Sequence, residues 1–236
     1  VSARQDDLVR KVAAEFVGTA FLVATVIGSG IMATNLTSDV GLQLLANSLI
    51  TGGMLVALIL TLQPVSAAFN PVVTAVEAFF GGVSWRDAAC FAAAQVAGGA
   101  LGAVVANLMF DLDAISISTR DRSGSGLWIG EVIATLGLVI VIFGSIRSGR
   151  TETIAFAVAG YIVAAYWFTS STSFANPAVT FARMFSDTFA GIAPASVPMF
   201  LAMQVVGAGL AVVLVRVLYP AATLTQTPES VPQPSA

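Results

Sequence analysis

Asn70-Pro71-Val72-Val73-Thr74 and Asn176-Pro177-Ala178-Val179-Thr180 carry one pattern, Asn-Pro-x-Val-Thr, in the two halves of a 236-residue chain. Asn at an N-cap followed by Pro at the first helical position starts a helix well, because Pro has no N–H to leave unpaired and its fixed φ suits the first turn. Each copy therefore reads as a helix start. Both lie in long uncharged stretches, Val40 to Val76 and Thr153 to Ala182. Inside a membrane, the free N–H groups and positive dipole end of such a start are tolerated only around a polar cavity. The function is expected to follow from that cavity.

The composition places the chain in the bilayer. At 57% hydrophobic, 10% charged and a mean hydropathy of +0.90, it carries more apolar surface than one soluble core can hide. Apolar runs bounded by charges or by Gly, Pro and Asn predict six spans, at roughly 9–33, 41–62, 85–110, 127–146, 153–170 and 196–218. Two shorter helices, roughly 70–81 and 176–186, begin at the Asn-Pro steps and are too short to cross about 30 Å of hydrocarbon. They are expected to be half-helices on re-entrant loops. Residues 223–236, rich in Pro, Ser, Thr and Gln, read as a disordered tail behind a single membrane domain over 1–222.

A second repetition is independent of the first. Glu15, Thr19, Leu22 and Val23 recur with identical spacing as Glu131, Thr135, Leu138 and Val139. The halves, about 9–111 and 127–219, each hold three spans and one half-helix. Three is odd, so the second copy enters the membrane from the opposite side and the repeat is inverted. The half-helices should then meet N-terminus to N-terminus near the midplane. Arg4, Arg10, Lys11, Arg86, Arg147, Arg150 and Arg216 fall on one side and Arg120, Arg122 and Arg183 on the other, which places both termini in the cytoplasm and the chain in the cell's inner (plasma) membrane.

Several classes of function lack the residues they need. There is no histidine, and the one cysteine, Cys90, lies in an apolar run, so no transition-metal site, disulfide framework or cofactor site is expected. No nucleophile, base and orienting group form a catalytic constellation, and no basic cluster invites nucleic acid. The partner expected from composition is lipid. An ion-coupled secondary transporter also uses inverted repeats and broken helices. It would bury a coupling carboxylate or His near the midplane, and the runs around both Asn-Pro steps hold none.

The paired Asn-Pro motifs, the Ala14-Glu15-Phe16-Val17-Gly18-Thr19 opening and the duplicated halves resemble the aquaporin and aquaglyceroporin family over residues 9–219. The resemblance implies an all-α membrane fold of six spans and two half-helices, a passive pore in each subunit and a homotetramer. It makes Asn70 and Asn176 the central pore asparagines, with Pro71, Val72, Pro177 and Ala178 completing the motifs. Each Asn oxygen can accept from its own half-helix, which frees the NH₂ to donate to a passing oxygen. Opposed positive dipole ends make the midplane hostile to cations and protons while neutral hydroxylated molecules pass. Glu15 and Glu131 are assigned as structural carboxylates that accept from the re-entrant backbones.

The chain also departs from the family pattern. Where the second motif usually continues with Arg, the cationic member of the selectivity filter, this sequence has Val179. Losing a guanidinium removes charge, donors and bulk, so the constriction should be wider and less polar than in a water-selective pore. Counting by the family's spacing puts the other filter positions on Thr51, Ala164 and Ser173, all small and suited to a solute of polyol size. Arg183, four residues after Val179 and on the same helical face, is a candidate to restore the positive barrier in the vestibule, or else pairs with a scaffold carboxylate. Its counterpart is Glu77, seven residues after Asn70 as Arg183 is seven after Asn176. The Val179 substitution and the stretch Tyr166-Trp167-Phe168-Thr169-Ser170-Ser171-Thr172-Ser173-Phe174-Ala175 resemble the bacterial aquaglyceroporin branch linked to arsenic resistance. That resemblance implies trivalent arsenic as neutral As(OH)₃, and its methylated relatives, beside glycerol-like polyols and water; the alternative is a water-selective pore.

Overall fold

The computed structural model describes residues 2–220, with side chains from residue 5 onward; the tail expected over 223–236 lies outside the described residues. The described residues form helices and connecting loops. Six helices, two of them counted with the 3-10 turns Thr151–Thr153 and Pro194–Ser196 that precede them, are long and apolar enough to span a bilayer: α1 (Ser2–Leu36), α2 (Val40–Leu62), α4 (Trp85–Met109), α5 (Ser125–Arg147), α6 (Ile154–Phe168) and α8 (Val197–Leu218). The two short helices are α3 (Pro71–Phe79) and α7 (Pro177–Ala182), the latter ending in a 3-10 turn, Arg183–Phe185. α1 begins earlier than the apolar run predicts. Its first turns are polar and carry a Lys11–Asp7 ion pair of 2.7 Å at i,i+4 spacing, which supports helix beyond the hydrocarbon.

Side-chain caps fix where the elements start. Asp39 accepts from the Leu42 N–H at 2.9 Å at the head of α2, and Ser84 from the Asp87 N–H at 3.1 Å at the head of α4. Packing then repeats between the halves. α1 lies chiefly against α4 and α5 against α8; α3 and α7 both rest chiefly on α4, and each also touches α8. The crossings depend on missing side chains, since a Cβ on Gly98 or Gly102 would overlap the backbone oxygens of Phe16 and Ala20. Gly207 meets the Val132 carbonyl in the same way. Gly209 makes no such contact and stands exposed with open space around it, because it lies on the outward face of α8.

Burial runs opposite to that of a soluble protein. Val205 and Val213 are 61% and 59% exposed, whereas Glu15, Gln95, Glu131 and Gln204 are fully buried. An apolar exterior around a polar centre is stable only where the solvent is hydrocarbon.

Candidate functional site

Each half-helix is started by its Asn and held by a carboxylate from the helix behind it. Asn70 and Asn176 adopt nearly the same extended backbone, φ −154° and −155°. The Asn70 oxygen accepts from the Val72 N–H at 3.1 Å, and the Asn176 oxygen from the Ala178 and Val179 N–H groups at 3.0 and 3.3 Å. The residues immediately before them, Phe69 and Ala175, lie in the left-handed region at φ 49° and 48°. For side chains with a Cβ that conformation costs energy and persists only when the surroundings impose it.

The imposing groups are Glu15 and Glu131. Glu15 accepts from the Ala68 N–H at 2.8 Å, the Phe69 N–H at 2.7 Å, the Gln95 amide at 2.7 Å and the Ser66 hydroxyl. Glu131 accepts from the Phe174 and Ala175 N–H groups at 2.9 and 3.0 Å and from the Gln204 amide at 2.6 Å. Gln95 and Gln204 also donate to Thr74 and Thr180 on the half-helices, at 3.0 and 2.8 Å. Sequence reasoning missed both glutamines. The signal was present as a third repetition, Gln95-Val96-Ala97-Gly98 against Gln204-Val205-Val206-Gly207.

The structure brings the two asparagines together by a reciprocal bridge. Asn70 Nδ2 donates to the Ala175 carbonyl and Asn176 Nδ2 to the Phe69 carbonyl, both at 2.7 Å. The expectation that each NH₂ is wholly free is thereby corrected. One hydrogen of each ties the halves together, and the second has no partner among the described residues.

A cavity of about 1090 Å³ runs past both asparagines. It opens among Asp7, Lys11, Arg86 and Asp87, on the face that carries the chain's N-terminus, and reaches Thr51, Tyr166, Ser173, Val179 and Arg183 toward the far face. Val73 and Val179, each three residues after its Asn, both line it. An apolar wall comes from α1, α2, α5 and α6, including Leu22, Leu55, Leu138 and Ile162. Val72 and Ala178 are buried away from the cavity, and Pro71 and Pro177 border a shallow hollow beside α4 instead.

Ala164 does not belong to this lining and is a correction. It is exposed on the outer face of α6, while Ile154, Val158, Ile162 and Tyr166, spaced by four, face inward. Counting residues back from Asn176 presumed the family's connection length, but α6 ends at Phe168 and the loop that follows turns through Thr172 and Ser173 at φ 61° and 51°. The inward residue is Tyr166, with its hydroxyl 3.4 Å from that of Thr51. The far-end group is therefore not composed only of small residues. The Ser173 hydroxyl, 3% exposed, has no hydrogen-bond partner among the described residues and stands beside this cavity.

Arg183 is buried at 3% exposure and makes no ion pair among the described residues. Its Nε donates to the Ala190 carbonyl, and its guanidinium carbon lies 3.4 Å from the centre of the Phe174 ring. The alternative of a carboxylate partner is not what the structure contains. Arg122, from the α4–α5 loop, lies over the same ring at 4.9 Å and donates to the Gly191 and Phe189 carbonyls at 2.8 and 3.4 Å. Burial first, then the nearby Arg183 and Arg120, push the Arg122 guanidinium down to about 8. The same loop is strapped to the chain after α7 by Ser116 and Ser118 N–H groups donating to the Phe185 and Met184 carbonyls at 3.0 and 2.9 Å. Two guanidiniums thus stand near the far end, held by carbonyls and one aromatic face.

Comparison with known proteins agrees with this geometry. The sequence matches the family described as Major intrinsic protein over residues 2–169 and 147–236. It is 47% identical over 230 residues to the aquaglyceroporin AqpS of Rhizobium meliloti (strain 1021), covering 96% of this chain and 98% of that one. It is 28% identical to a probable aquaporin, TIP2-2, of Oryza sativa subsp. japonica, over 87% of this chain and 86% of the relative. Among solved structures, the aquaglyceroporin from Plasmodium falciparum superposes with a TM-score of 0.70 at 17% identity, over 88% of this chain and 95% of that one.

Proposed function

The chain belongs to the major intrinsic protein family and is a multi-pass membrane channel for small neutral solutes rather than an enzyme, and from that premise we propose that its permeants are hydroxylated solutes of polyol size. Glycerol, neutral As(OH)₃ and its methylated relatives are the solutes meant, with water passing as well. One observation supports the reading: the passage is lined both by the apolar Val179 and by Thr51, Tyr166 and Ser173, with the Thr51 and Tyr166 hydroxyls 3.4 Å apart and the Ser173 hydroxyl without a partner among the described residues. A polyol presents carbon–hydrogen on one side and hydroxyls on the other, so it satisfies both surfaces at once. An aquaglyceroporin relative at 47% identity supports the same class of permeant.

In this reading Asn70 and Asn176 orient the permeant at the midplane, and Thr51, Tyr166, Ser173 and Val179 select it. Arg183 supplies the positive barrier from one turn further along. The charge balance of the loops supports placing both termini in the cytoplasm of a cell whose inner membrane holds the channel. The family resemblance supports a homotetramer with one pore in each single-domain subunit.

A water-selective pore is the second reading, favoured by the Tyr166 ring and the Arg183 donors at the far end. Stopped-flow assays of proteoliposomes separate the two. The unaltered protein should pass glycerol and arsenite as well as water, and Val179→Arg should suppress the larger solutes more than water. Water flux without glycerol or arsenite flux would establish the second reading. Arg183→Ala should raise proton and cation leak; an unchanged leak would remove Arg183 from the barrier.

A further inference from the structure

Glu77 and Arg183 occupy equivalent places in the two halves, seven residues after Asn70 and Asn176, and both line the same passage at opposite ends. Their charges are opposite, which internal duplication alone does not explain. Between them the N-termini of α3 and α7 meet, each with a positive end equivalent to roughly half an elementary charge. Arg183 adds a full positive charge beyond them, with Arg122 against the same Phe174 ring. Such a field turns cations away. By the same sign it draws anions toward the middle, and a passage with nothing else would be an anion path.

Glu77 stands where an anion coming through that field would have to leave, or enter from the other side. It is half-buried on α3 and has neither a hydrogen bond to its carboxylate nor an ion pair among the described residues. The charges that share its mouth compensate one another: Lys11 is paired with Asp7 at 2.7 Å, and the exposed Arg86 and the half-buried Asp87 stand together at the rim. Glu15, deeper behind the loop, has both oxygens engaged by Ser66, Ala68, Phe69 and Gln95 and adds a negative charge of its own. Among the described residues that line the passage, Asp7, Glu77 and Asp87 outnumber Lys11 and Arg86 at the N-terminal mouth and Arg183 is the charge at the far end, while Arg147 and Arg216 stand outside that lining, over the Phe80 and Phe79 rings.

We propose that Glu77 is a specificity-determining residue, the anion barrier at the N-terminal mouth that complements the cation barrier at Arg183. This rests on the neutral-solute reading above. The species it rejects are small monovalent anions, including the deprotonated form of any hydroxylated solute that the channel passes when neutral. With a barrier of each sign in series, exclusion of charge does not depend on a narrow pore, which the loss of Arg at position 179 makes necessary.

The experiment is the permeability ratio of nitrate to glycerol in proteoliposomes, nitrate from dilution potentials and glycerol from stopped-flow shrinkage. Glu77→Gln should raise that ratio about tenfold, the scale of removing one charge from a partly screened site. Glu77→Lys should raise it further, and Glu77→Asp should hold it near that of the unaltered protein. The proposal is overturned if Glu77→Gln and Glu77→Lys both keep the original ratio, or if nitrate permeability rises equally in Glu77→Asp. Absence of glycerol flux in the unaltered protein would instead strike the solute reading, and nitrate permeability alone, compared across the four proteins, would still decide the role of Glu77.

Discussion

Replacing Glu131 by Gln tests how the second re-entrant loop is held, and its cost can be worked from the hydrogen bonds. The carboxylate accepts from the Phe174 N–H through one oxygen and from the Ala175 N–H and Gln204 amide through the other, all fully buried. An amide offers one acceptor oxygen and turns an NH₂ toward donors. If the oxygen keeps Phe174, the Ala175 N–H is left without an acceptor, at about 1–3 kcal/mol, and the Phe174 bond loses its charge assistance, roughly another 1 kcal/mol. Gln204 recovers part of this. Its own Oε1 has no partner among the described residues, so the Gln204 amide can flip and accept from the introduced NH₂ while giving up Thr180. The lost Thr180 bond offsets that recovery, so the net cost stays at about 2–4 kcal/mol, or roughly 4–16 °C in apparent melting temperature for a chain of this size. Function should fall with it, because Ala175 also carries the carbonyl that receives Asn70 Nδ2 at 2.7 Å. The assay is thermal unfolding in detergent beside glycerol flux in proteoliposomes. A melting temperature within about 1 °C of the unaltered protein, with flux preserved, would refute the argument that this carboxylate imposes the loop conformation.

Two further predictions concern packing. Thr19 donates to the Glu15 carbonyl at 2.7 Å, whereas its counterpart Thr135 is fully buried with no partner for its hydroxyl among the described residues. Thr19→Val should cost about 1 kcal/mol and Thr135→Val should be neutral or stabilising, read as opposite changes in melting temperature; equal losses would contradict it. Gly102→Ala should prevent stable folding, since the added methyl overlaps the Ala20 backbone oxygen, while Gly209→Ala faces open space and should match the unaltered protein in yield and monodispersity by size-exclusion chromatography. Comparable yields for the two variants would overturn the close-approach reading of the α1–α4 crossing.

The order of elements, the inverted repeat and the two half-helices were legible because each has a local cause. Asn-Pro steps start helices wherever they occur, uncharged runs of about 20 residues leave the chain no stable place but the bilayer, and an odd number of spans per copy reverses the second copy. The duplicated Glu15 and Glu131 could be found by spacing alone, and Gln95 and Gln204 could have been found in the same way. The far end of the passage resisted such reading. Ala164 was placed by counting through a loop, and a loop's length does not state how it turns; Thr172 and Ser173 at positive φ redirect the chain there, and Tyr166 is what the inward face of α6 presents.

The solvent, the number of crossings and the two points at which the chain turns back could be read before folding, because they follow from periodicity, hydropathy and capping, which act over neighbouring residues. Which side chains meet depends on packing across the two halves: Asn70 and Asn176 each spend one hydrogen on the opposite loop, Arg183 leans on Phe174 rather than on a carboxylate, and Arg122 arrives from a distant loop to share that ring. Those contacts join residues up to 107 positions apart. Their geometry is set by how helices pack across two halves, a property that no local pattern encodes.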